Sequence, residues 1–322
     1  MTRRGSRVFS GRYNQRHSLK RNTTQSFTIP VHQSMKPSTV IAFCPGHISG
    51  YFRKISGDTI ASTGSIGAGI VISEGVTSTV KRSDRPSISI QQRSSMGTSF
   101  EIASGSPVLT SVMEQMEVTA SVITECTLPI GAGFGLSAAA LLATLTALNQ
   151  VFDRGMSPDE IAQCAHAAEV THRTGLGDVA ACQGGGWVIR SGPGIHGRIE
   201  RRFDMPEPLY AISFGPISTP AVLGSPALME QVSSAFPTTM PKNCEDFFLL
   251  SRQFSEQSGL VTRQVKAIIR LCDAAGVASG MTMLGNGVFA YGRNAYDLLR
   301  PFGHVYEFHV AATGVHIVEK LP

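Results

Sequence analysis

The chain has 322 residues, 42% of them hydrophobic and 16% charged, with a formal net charge of +5. That length and apolar fraction predict one large or two smaller domains with a buried core, and exclude a mainly disordered or fibrous chain. The longest apolar run, residues 136–148, contains threonines and falls short of the ~20 residues that span a bilayer, so no membrane partner is expected.

The positive charge is local. Seven of the 28 basic residues (Arg3, Arg4, Arg7, Arg12, Arg16, Lys20 and Arg21) precede Met35 with no acid among them, which leaves 21 basic against 23 acidic residues. The fold itself is therefore slightly acidic, and no nucleic-acid partner is expected. Residues 1–34 are polar and read as a disordered basic extension. A nucleic-acid arm, an Arg-rich targeting peptide and an upstream start codon would each explain it. The last is favoured, because Met35 stands just before the first strand. A chain beginning at Met35 is expected to keep full activity. A large fall in kcat or stability would contradict that.

Residues 40–43 form a short apolar run that predicts a strand leading into a turn at Cys44, Pro45, Gly46 and His47. A glycine loop follows, with Gly64, Ser65, Ile66, Gly67, Ala68 and Gly69. The most informative stretch is Pro129, Ile130, Gly131, Ala132, Gly133, Phe134, Gly135, Leu136, Ser137, Ala138 and Ala139, ahead of a helix predicted over 137–150. Glycine lets a backbone turn sharply against a ligand. The following helix start offers unpaired N–H groups and a positive dipole end, so together they suit phosphate. The loop is not a Walker A motif, since no lysine lies in 118–154, and the spacing is not Gly-x-Gly-x-x-Gly. The structural alternative is a helix packed tightly on a sheet through small residues.

A second helix is predicted over 161–172, with Ser157 as cap, Pro158 at its first position and Asp159 and Glu160 in the first turn. Glu169 is the only acid in its second half. His166 and Glu169 share a face, but a carboxylate bundle would need a second such pair. His166 and His172 read as structural or capping residues. A turn through Gly175, Gly177 and Asp178 leads to a strand that ends at Arg190. The six cysteines form no CxxC pair, so they read as buried thiols of a reducing compartment rather than zinc ligands. Residues 204–241 are rich in proline and serine and predict loops around one strand at 209–214, marking a boundary between lobes. Helices are predicted within 245–275, then a glycine turn into a strand over 283–290.

These motifs resemble those of the GHMP kinase superfamily, whose signature is Pro-x-x-x-Gly-Leu-Gly-Ser-Ser-Ala-Ala. Pro129, Gly133, Phe134, Gly135, Leu136, Ser137, Ala138 and Ala139 fill it here, with Phe134 for leucine and Leu136 for the first serine. The turn with Pro45, Gly46 and His47 matches the first superfamily motif, and 283–290 matches the third loosely. The wider pattern is most similar to the archaeal pantoate kinases.

The resemblance implies an α+β, two-lobed fold with a ribosomal S5-like N-terminal lobe (35–203) and an α/β sandwich C-terminal lobe (204–322). It implies ATP and Mg²⁺ as cofactors. Pro129, Gly131, Gly133, Phe134, Gly135, Ser137, Ala138 and Ala139 would bind ATP, and Ser137 and Glu169 would hold the metal. Asp178 would act as base or orient the acceptor hydroxyl. A small hydroxy-acid needs a cation for its carboxylate, and the planar fork of Arg190 suits it, with Ser65 and His47 as further substrate contacts. The expected activity is phosphorylation of pantoate to 4-phosphopantoate by a cytoplasmic homodimer. Shikimate, homoserine or mevalonate as acceptor, or a silent ligand sensor, are the alternatives.

Overall fold

The computed structural model describes residues 37–94 and 96–322. The predicted extension over 1–34 lies outside them. The elements run β1 (Thr39–Ile55), β2 (Gly64–Arg82), β3 (Ser87–Arg93), β4 (Ser99–Ser104), α1 (Pro107–Gln115), β5 (Ala120–Cys126), α2 (Leu136–Phe152), α3 (Pro158–His172), α4 (Asp178–Cys182), β6 (Trp187–Arg190) and β7 (Ile199–Arg202). They continue as β8 (Leu209–Pro216), α5 (Thr219–Leu223), α6 (Pro226–Ser234), α7 (Cys244–Gln257), α8 (Arg263–Ala274), β9 (Ser279–Met281), β10 (Gly285–Tyr291), α9 (Asn294–Leu299), β11 (Tyr306–Phe308) and β12 (His316–Leu321).

The fold is α+β, with two sheets. The first has the order β12-β1-β2-β5-β3-β4, with β6 on the far half of β2 and β7 beyond it. The second has the order β11-β8-β10-β9. The last strand therefore returns to pair β1 in the first sheet. Alpha2 packs on β1 and β2 and is apolar around most of its circumference, as a core helix must be. Alpha7 and α8 cover β9, with α7 also on β1 and α8 on β10. Phe247 of α7 is fully buried against Tyr51, Trp187, Phe248 and Phe289. Burying one such ring contributes about 1.5–3 kcal/mol.

Two local readings change. Pro45 and Gly46 make no turn, and Gly64–Gly69 is no loop: both lie inside the long antiparallel pair β1–β2, with a register shift between Pro45 and Gly46. The 204–241 stretch is not only loop. Pro220 and Pro226 sit in the first turns of α5 and α6, which Ser218 and Ser225 cap through their side chains. Proline fits there because those N–H groups have no helical partner.

Candidate active site

Beta5 runs through residues 127–135 into α2, and three glycines shape that loop. Gly131, Gly133 and Gly135 have φ of +76°, +83° and +64°. Alternating left-handed residues turn successive N–H groups to one side, which makes an anion-binding concavity. Close packing demands glycine as well. A Cβ on Gly133 would stand 2.7 Å from the Met283 carbonyl oxygen, and one on Gly135 would stand 2.9 Å from that of His47. The loop is thus clamped between β1 and the turn before β10, and His47 N–H donates to the Phe134 carbonyl (2.9 Å). Gly135 caps α2 with no side-chain hydrogen bond. The Ala139 N–H bonds the Gly135 carbonyl (3.2 Å), so the orphan donors are those of Leu136, Ser137 and Ala138.

A cavity of about 440 Å³ opens over this loop. Gly131, Gly133, Phe134, Gly135, Ser137, Asp178, Arg190, Ser65 and His47 all line it. Pro129, Ala138 and Ala139 do not. The two alanines are buried on α2, so of the pair only the Ala138 N–H remains to offer. The Phe134 ring is buried against Tyr306 and Phe308.

Asp178 opens α4, and Arg201 braces the rest of that helix and the turn after it: Nη1 donates to the Ala181 carbonyl (2.8 Å) and to the Gly185 carbonyl beyond the helix (3.0 Å), and Nη2 to the Ala180 carbonyl (2.9 Å). The Asp178 side chain keeps 23% of its exposure, while the His47 ring is closed off. Nδ1 of His47 and Oδ1 of Asp178 are 2.6 Å apart. Burial pushes the carboxyl of Asp178 up, but the His47 hydrogen bond and the nearby His47 and Arg190 charges outweigh it and leave it below its usual range. Burial also lowers the His47 imidazole, against the pull of Asp178. An ionised Asp178 only accepts, so His47 donates from Nδ1 and its buried Nε2 is left without a partner.

Arg190 ends β6 and is 2% exposed. Its Nη1 donates to both the carbonyl and the Oγ of Ser65 (2.9 Å each). Nε has no partner. Ser65 Oγ accepts this bond, so its own hydrogen is free to donate.

Glu169 is 1% exposed on α3 and is not part of the cavity lining; Thr174 Oγ1 donates to its Oε1 (3.5 Å), and the Ser137 hydroxyl lies beside it. Burial, then the charge of Asp178, raises its carboxyl well above the usual range, against the hydrogen bonds from Ser137 and Thr174. Its Oε2 is buried and unpartnered. His166, by contrast, is structural, with Nε2 2.9 Å from the Thr63 carbonyl. Among the described residues no group of three or more His, Cys, Asp or Glu is arranged to hold a metal ion. Ser137 and Glu169 offer two oxygen donors beside the phosphate loop. That suits Mg²⁺, which takes few protein ligands and completes its shell with phosphate and water. The sequence reading did not single out Ser49, Thr124 or Leu284, which also line the cavity, nor the bracing Arg201.

Comparisons with known proteins identify the family. The family profile of the GHMP kinases N terminal domain matches residues 105–186. The pantoate kinase of Methanospirillum hungatei is 46% identical over 284 residues, 88% of this chain and 98% of that protein. The pantoate kinase of Thermococcus kodakarensis is 31% identical over 79% of this chain and 87% of that protein. A solved structure described as a phosphotransferase related to the CoA biosynthesis pathway superposes with a TM-score of 0.73 at 24% identity, covering 87% of this chain and 98% of that one. No helix among the described residues is long and apolar enough to cross a membrane. The chain belongs to the pantoate kinase family, within the GHMP kinases.

Proposed function

We propose that the chain transfers the terminal phosphoryl group of Mg·ATP to the primary hydroxyl of pantoate, giving 4-phosphopantoate. The observation that carries this reading is one cavity that joins a phosphate-binding loop to a carboxylate, Asp178, and a buried guanidinium, Arg190. An acceptor bearing both a hydroxyl and a carboxylate matches that pair. The 46% identity to a pantoate kinase over most of both chains supports the substrate.

The backbone N–H groups of the 131–138 stretch would hold the triphosphate. Ser137 and Glu169 would hold Mg²⁺, which supplies charge neutralisation on the transferring group. Arg190 would bind the acceptor carboxylate through the part of its fork that Ser65 leaves free, with Ser65 donating its own hydrogen. Asp178 would receive the hydroxyl. Its lowered carboxyl makes it a weak base, so its larger contribution is orientation. Transfer through a loose transition state needs little proton removal early, and positioning supplies most of the rate. The reading also makes the enzyme a cytoplasmic homodimer, on the habit of related kinases alone.

The test is ADP release from Mg·ATP with pantoate, shikimate, homoserine and mevalonate in parallel. Turnover with pantoate alone is expected. Turnover with another acid would keep the mechanism and replace the substrate, and silence with all four despite ATP binding would favour a sensor.

A further inference from the structure

Asp178 stands at the very start of α4, where little else fixes its side chain. Gly177 caps the helix without a side-chain hydrogen bond, and Arg201 reaches only the later carbonyls and the turn beyond. Among the described residues, His47 is the one side chain that hydrogen-bonds the Asp178 carboxylate. The His47 ring, in turn, has no room to move. Its own backbone N–H holds the Phe134 carbonyl of the phosphate loop. A Cβ on Gly135 would stand 3.1 Å from the His47 Cβ. One on Gly69 of β2 would stand 2.3 Å from Nε2 and 2.8 Å from Cε1. The ring therefore fills a notch that glycine at 69 leaves open, with Nε2 against β2 and Nδ1 against Asp178.

A proton relay through an imidazole needs a partner at each ring nitrogen. His47 has one at Nδ1 only, because Nε2 is buried and unpartnered. That arrangement suits a fixed donor. A carboxylate held by a single short bond, 2.6 Å here, takes its direction from the donor. We propose that His47 is a positioning residue: its Nδ1–H aims the Asp178 carboxylate at the acceptor hydroxyl, and the imidazole neither touches the substrate nor carries its proton. This differs from the substrate contact that the resemblance implies for His47, and it rests on the reading that Asp178 receives the hydroxyl.

Steady-state kinetics of the full chain, with ATP and pantoate varied separately, compare His47→Asn with His47→Leu. The asparagine amide nitrogen lies as many bonds from the backbone as Nδ1 and can donate in its place. Leucine has the same branched shape and no donor, so both variants leave a similar gap where the ring was. His47→Leu is expected to lower kcat about 10- to 100-fold, the scale of a small misplacement, with the KM for ATP within a few-fold. His47→Asn is expected to keep kcat at least ~10-fold above the leucine variant. Added to Asp178→Asn, the leucine change is expected to cost less than about threefold more, since residues that act as a unit are not additive. Asparagine as slow as leucine overturns the proposal, because the bulk of the ring and not its hydrogen bond would then matter. A rise confined to the KM for pantoate, the mark of a substrate contact, overturns it too, as does full additivity with Asp178→Asn. If circular dichroism shows the leucine variant unfolded, His47→Gln replaces it, since its amide reaches the place of Nε2 rather than Nδ1. A near-normal kcat in Asp178→Asn alone would end the Asp178 reading and this proposal together. A slow Asp178→Asn beside equal His47 variants would end only the proposal.

Discussion

Asp178→Asn is expected to lower kcat at least ~100-fold, the size of effect that follows when a reacting group loses its positioning, with the affinity for ATP changed far less. Asparagine keeps the shape, and its carbonyl can still accept from His47 Nδ1. What it loses is the negative charge at the acceptor hydroxyl. The neighbouring Glu169 responds in the opposite sense, because the Asp178 charge is one of the two causes that raise its carboxyl. Removing that charge eases ionisation of Glu169 and should not weaken a metal held there. A fall in kcat with ATP binding intact would therefore report on the acceptor side. Steady-state kinetics with ATP and pantoate varied separately give the split. A near-normal kcat would make Asp178 a structural partner of His47 and nothing more.

Arg190→Met is expected to raise the KM for pantoate ~10- to 150-fold, the range for losing a hydrogen bond to a charged group, while the KM for ATP stays within a few-fold. Methionine fills much of the aliphatic stem, which limits the cavity it leaves. The change also frees Ser65, whose carbonyl and Oγ both rest on Nη1, so part of the loss runs through that serine. Arg190→Lys serves as the companion variant. It keeps a cation and loses the planar fork, so an intermediate KM for pantoate is expected. Equal rises in both KM values would mean that Arg190 only supports the fold. Its packing makes that a real alternative, since the backbone at Gly177 passes so close that a Cβ there would collide with the guanidinium.

Much of the site was legible because it is local. The spacing of Gly131, Gly133 and Gly135 ahead of an alanine-rich helix announces left-handed turns and an open helix start within about ten residues, and both are present. The cap of α3 was equally plain: Ser157 and Glu160 form a reciprocal capping box. The failures have physical reasons. Pro45 and Gly46 look like a turn, because proline cannot donate to a sheet ladder and glycine weakens one. The fold tolerates them within β1 because pairing with β12 ends at Phe43 and the β2 side absorbs the proline as a register shift. Pro220 and Pro226 look like breakers, yet each sits in a first turn where its missing N–H costs nothing.

What the sequence hides is long-range. His47 meets Asp178 across 131 residues, and Arg201 meets the carbonyls of α4 through a hairpin. The serine-rich strands β3 and β4 carry few buried residues, so they leave almost no apolar alternation to read.

The most direct measurement is the proton-coupled ³¹P spectrum of the product formed from pantoate and Mg·ATP. With Asp178 assigned to the acceptor hydroxyl and Arg190 to its carboxylate, the proposed reading has the primary hydroxyl facing the phosphate loop and the carboxylate held away from it. The account predicts a phosphomonoester signal split into a triplet by the two C4 protons. A doublet from the C2 position, an unsplit acyl phosphate signal, or no product beyond ADP and inorganic phosphate would contradict it.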